Sequence, residues 1–64
     1  MSLFYTLEGL NNVDDVNKAT NALMMLDGVQ SAEVGLHFAH IEGRTSLEKV
    51  QKALAPLGFK ARQG

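Results

Sequence analysis

The stretch LFYTLEGLNNVDDV, residues 3–16, changes its period halfway along, and that change decides the fold. Leu3, Tyr5 and Leu7 alternate with Phe4, Thr6 and Glu8, the pattern of a strand with one buried face. Gly9 ends the alternation, and Asn11-Asn12 form a polar loop. Asn12 has the chemistry of a helix N-cap, and Asp14 and Asp15 fall in the first turn, where carboxylates favour the helix dipole. Val13, Val16, Ala19, Thr20, Leu23 and Leu26 then recur at helical spacing as far as Asp27-Gly28, a stop signal.

The remainder repeats this logic with a hairpin in front. Val34, Leu36 and Phe38 mark a second strand, and Ala39, Ile41 and Gly43 a third. If Leu36 faces Ile41, then His37 faces His40 and Phe38-Ala39 is the turn; a wider loop fits the residues equally well. Thr45-Ser46-Leu47-Glu48 reads as a capping box with Thr45 at the cap. Leu47, Val50, Leu54 and Leu57 supply the second helix's apolar stripe, which Pro56 and Gly58 close. Phe59 and Ala61 belong to a short last strand. Right-handed crossovers turn this order into an α+β, ferredoxin-like βαββαβ sandwich, a four-stranded antiparallel sheet with both helices on one face. Residues 1–64 are expected to form one domain, since so short a chain cannot divide its apolar surface between two cores. Strands one and two then run the same way, which gathers Asn12, Asp15, His37, His40, Gly58 and Phe59 at one edge.

Composition excludes several classes of function. The apolar fraction of 45% is globular. A net charge of −1 argues against nonspecific nucleic-acid binding. No apolar run approaches the ~18 residues of a membrane-spanning helix, and the N-terminus lacks the features of a signal peptide, so a cytoplasmic setting without membrane insertion is expected. Cysteine is absent, which removes disulfides, thiolate metal sites and a cysteine nucleophile together. Charge is unevenly placed: Asp14, Asp15 and Asp27 lie in the first half, and Lys49, Lys52, Lys60 and Arg62 in the second.

Taken in order, Gly9-Leu10-Asn11-Asn12-Val13-Asp14-Asp15, Leu23 through Gly28-Val29, Val34-Gly35-Leu36 and Gly58-Phe59 resemble the landmarks of the heavy-metal-associated domains. These domains occur in copper chaperones, mercury-binding proteins and metal-pumping P-type ATPases. The resemblance spans nearly the whole chain and implies a module related to metal transport. It also locates a departure. Asn12 and Asp15 stand where the family carries the two cysteines of its Cys-x-x-Cys motif, and Leu10 stands for its buried methionine. An amide and a carboxylate are hard oxygen donors, poorly matched to Cu(I), so the resemblance implies weak or no Cu(I) binding here. By its likeness to the family, the loop end (Leu10, Asn11, Asp14, Asp15, Gly58 and Phe59) is expected to dock a metal-transporter domain of the same fold.

Two other readings attach to particular residues. Imidazoles suit divalent transition metals, so His37 and His40 with Asp15 would form a non-thiol site if the fold brought them together; the plain alternative is two solvated histidines. Asn12 and Asp15 likewise make sense as a cap and a first-turn carboxylate alone. An exposed Phe4 on the open sheet face, or the outer edge of strand two, would suit a weakly homodimerising regulatory module. Met24 and Met25 are read as one core residue and one marginal residue. No arrangement of nucleophile, base and acid is present, so the chain reads as a non-enzyme, no cofactor being implied beyond a divalent metal.

Overall fold

The computed structural model describes all 64 residues. Strand β1 (Ser2–Glu8) leads into helix α1 (Val13–Met24), followed by β2 (Val29–Val34), β3 (Phe38–Gly43), helix α2 (Leu47–Leu54), a 3-10 turn (Ala55–Leu57) and β4 (Lys60–Gln63). The sheet order is β2-β3-β1-β4, with β3 antiparallel to both its neighbours and β4 antiparallel to β1. This is the expected ferredoxin-like βαββαβ topology.

Period decides which residues fill the core. Tyr5 and Leu7 of β1, Ala39 and Ile41 of β3, Ala19 and Leu23 of α1, Val50 and Leu54 of α2, and Leu10, Phe59 and Ala61 make one buried cluster. Leu7, Leu23, Ile41, Val50 and Leu54 are its largest fully enclosed side chains, each stabilising the fold by about 1.5–3 kcal/mol. The Gln51 side-chain amide donates to the Ala61 carbonyl at 2.9 Å, tying α2 to β4. Burial pushes the Tyr5 hydroxyl pKa up.

Four local expectations are corrected. The second strand ends at Val34, not beyond it, because Gly35 N–H donates to the Phe38 carbonyl at 2.9 Å and turns the chain over Leu36-His37. The Phe38 ring lies against the Gly35 Cα, in the space a Cβ would take. Helix α1 ends at Met24 with Met25 as its C-cap, before Asp27-Gly28, and both methionines are exposed. Helix α2 is capped by Ser46, whose hydroxyl accepts from Lys49 N–H at 3.4 Å. Thr45 lies one residue outside, its hydroxyl buried without a partner. Val13 is 72% exposed, so the buried stripe of α1 begins one turn later.

Candidate functional site

The end of the molecule where β1 leaves the sheet is built from three loops. Gly9 has φ 99° and packs its Cα face against the Gly58 carbonyl and the Phe59 backbone, an approach that a side chain at residue 9 would obstruct. The Leu7 N–H donates to the His37 carbonyl at 2.9 Å, which brings the β2–β3 loop alongside. Gly58, left-handed at φ 83°, ends the 3-10 turn and delivers Phe59 to the core.

Residues 11–15 form a reciprocal cap on α1. Asn12 Oδ1 accepts from Asp15 N–H at 2.9 Å, and Asp15 Oδ2 accepts from Asn11 N–H at 2.9 Å. One free donor of the first helical turn, Asp15 N–H, is thus satisfied by the cap side chain, and Asp15 in turn holds the N–H of the residue before the cap. Asn12 and Asp15 offer only oxygen donors, and two of those oxygens already accept backbone N–H groups, so the pair does not fit soft-metal thiolate chemistry.

The proposed histidine pair is not formed. His37 sits in the turn, whereas His40 lies within β3, opposite Glu33 on β2 and Phe4 on β1. The register pairs Val34 with Ala39 and Ala32 with Ile41, so Leu36 does not face Ile41. A three-residue excursion takes the turn in place of the Phe38-Ala39 corner, whose residues are instead the first two of β3. On the open sheet face the His40 ring stacks on Phe4 with centroids 4.2 Å apart and planes 3° from parallel. His40 Nε2 approaches Glu42 Oε1 at 3.3 Å, and the Ser2 hydroxyl donates to the same carboxylate at 2.6 Å. The Ser2 bond chiefly, then attraction to His40 and the N-terminal ammonium, hold the Glu42 pKa below the usual range against partial desolvation. His40 therefore belongs to the sheet face, away from Asp15, and no group of three His, Asp or Glu side chains is placed to hold a metal ion.

Of the residues expected to form a docking surface, Asn11, Asp14 and Gly58 are exposed, while Leu10 and Phe59 are buried and support the surface from beneath. Three exposed apolar residues stand on the same loops and helix end: Val13, Leu36 and Leu57. Val13 and Leu57 had been assigned to helix stripes and Leu36 to a strand. The signal that distinguishes them is position, since each lies at the terminus of its element or just outside it.

Three solved structures align over almost the entire chain. The N-terminal domain of PacS from Synechocystis is 24% identical, covers 100% of this chain and 97% of its own, and superposes with a TM-score of 0.88. The CopZ metallochaperone is 19% identical over 97% of this chain and 100% of its own, TM-score 0.87. Oxidized MerP from Ralstonia metallidurans is 19% identical over 98% and 94%, TM-score 0.87. The chain has the fold of the heavy-metal-associated domains. No family model matches the sequence, and no curated protein does. The sequence contains no cysteine. No helix is long and apolar enough to cross a membrane.

Proposed function

We propose that this chain is a non-catalytic interaction module of metal transport, docking through its loop end onto a domain of the same fold without carrying a thiolate-bound ion. The observation that supports this most directly is the pairing of exposed apolar residues with acid groups at that end. Val13, Leu36 and Leu57 are open to solvent around the backbone of Gly9 and Gly58, and Asp14 and Asp15 lie beside Val13. An apolar centre with a charged rim is the composition of a specific but reversible interface, and an acidic rim selects and steers a basic partner. The neighbours in fold include a metallochaperone and the N-terminal domain PacS, which favours a partner of the same architecture.

The test is a titration of the labelled chain with ferredoxin-like domains of copper-transporting ATPases and metallochaperones, apo and Cu(I)-loaded, followed by amide chemical shifts. Saturable shifts at Asn11, Val13, Asp14, Leu36 and Gly58, weakened by added salt, are the expected result. An absence of shifts across such a panel would overturn the reading. Transfer of Cu(I) to this chain would overturn its second half.

A further inference from the structure

Both helices cover one face of the sheet, which leaves the other face open. On that face the charges fall largely by strand, with Glu8 of β1 beside Lys60 as the exception. Glu33 lies on edge strand β2 and Glu42 on β3, while Lys60 and Arg62 lie on the opposite edge strand β4. Between them stand the Phe4–His40 stack and the Phe38 ring, with Phe4 55% and Phe38 46% exposed. An acidic edge, an aromatic centre and a basic edge make a surface complementary to itself.

We propose that this face associates with a second copy of the same chain, sheet on sheet, about a two-fold axis running parallel to the strands between β1 and β3. That axis lays β4 of one copy over β2 of the other and β1 over β3. Arg62, whose cross-strand neighbour is Thr6, then stands above the neighbourhood of Glu33, and Phe4 meets His40 of the second copy. Packed sheets lie about 10 Å apart, a gap that opposed arginine and glutamate side chains span. The alternative in-plane axis, perpendicular to the strands, superposes each edge strand on itself and opposes Glu33 with Glu33 and Arg62 with Arg62. The charge order therefore selects the axis as well as the partner. The Arg62–Glu8 contact within one chain, 3.5 Å between well-exposed side chains, is solvated and readily exchanged.

The face is small. Four strands about 4.8 Å apart and some six residues long at about 3.3 Å each give a footprint of about 400 Å² per copy. That is roughly half the ~800 Å² per partner of a stable interface, so the association is weak. This surface is separate from the loop end, and the two readings stand or fall independently.

Sedimentation equilibrium and amide shifts of the intact chain between about 10 µM and about 1 mM test it. Concentration-dependent dimerisation with shifts at Phe4, Phe38, His40 and Arg62, and none at Asn11 or Asp14, is expected. Glu33→Arg and Arg62→Glu are each expected to weaken self-association about tenfold or more, because each turns two attractive contacts per dimer into repulsions. Mixing the two variants restores both pairs in the heterodimer, so association returns only in the mixture. Both positions are exposed, and one-dimensional spectra of each variant verify that it folds. A wild-type chain that remains monomeric at the highest concentration overturns the proposal. So does a mixture that associates no better than its components.

Discussion

Replacing Asn12 and Asp15 should cost stability, because in this chain they are the cap of α1. Asn12 Oδ1 holds Asp15 N–H at 2.9 Å, and truncation of such an N-cap to alanine costs about 1 kcal/mol. Asp15 Oδ2 holds Asn11 N–H at 2.9 Å. Its donor is exposed and finds water when the carboxylate is removed, so Asp15→Ala loses about 0.5–1 kcal/mol for the bond and about 0.3–1 kcal/mol for the dipole. The double variant should therefore lose about 2 kcal/mol. Against a total of about 3–10 kcal/mol for a chain of this length, that is a large fraction. In thermal melts followed by circular dichroism, each single change should lower Tm by about 4–8 °C and the double change by about twice that. Asp14→Ala serves as a control, since Asp14 is exposed, makes no capping bond and loses only the dipole contribution, about 0.3 kcal/mol. The reasoning is refuted if Asn12→Ala and Asp15→Ala melt with the parent, or if Asp14→Ala proves as damaging as either.

Other outcomes follow from the same coordinates. Thr45→Val should be neutral or stabilising by up to about 1 kcal/mol in urea unfolding, because its buried hydroxyl has no partner, whereas Ser46→Ala should destabilise by about 0.5 kcal/mol. A cap at Thr45 would reverse that order. Leu23→Ala or Ile41→Ala should cost about 2–5 kcal/mol and leave much of the chain unfolded at room temperature, as judged by amide dispersion. The lowered folded pKa of Glu42 means that its contribution to stability is fully present above the ordinary carboxylate range. That contribution is lost as pH falls through the lowered value. In Ser2→Ala a carboxyl-carbon titration should move the Glu42 midpoint upward toward its usual value, and an unmoved midpoint would show that the hydroxyl is not responsible.

The architecture was legible because it rests on period. Leu3, Tyr5 and Leu7 at period two, then Val16, Ala19 and Leu23 at helical spacing, leave few ways to assemble two crossovers into one sheet. What the sequence left open depended on single-residue offsets. Thr45 and Ser46 are both good caps, and only the packing of Leu47 against the core decides that the helix begins after Ser46. His37 and His40 face each other only if the turn falls at Phe38-Ala39. The Gly35–Phe38 backbone bond places it at Leu36-His37 instead, a shift that the alternation of apolar residues does not mark. Buried Leu10 and Phe59 and exposed Val13 are inseparable by hydropathy alone, since what divides them is how far past the end of the sheet each one lies.

The core and the loop end are separate, so this fold stands without any thiolate ligand. Small zinc-dependent domains unfold when their metal is removed because ligation supplies folding free energy. Here the buried cluster is drawn from β1, β3, β4, both helices and the Leu10 and Phe59 anchors, with β2 packed against it, and none of its members is a polar group at residues 11–15. Nothing in that cluster changes when the side chains at residues 12 and 15 change, so long as the helix remains capped. Asparagine and aspartate satisfy that condition better than cysteine does, because the Asn12 oxygen accepts a free N–H of the first turn and the Asp15 carboxylate holds the Asn11 N–H that leads into it. Selection on docking would then act on the exposed rim of Val13, Asp14, Leu36 and Gly58, while selection on the cap alone would suffice to keep residues 12 and 15 as they are.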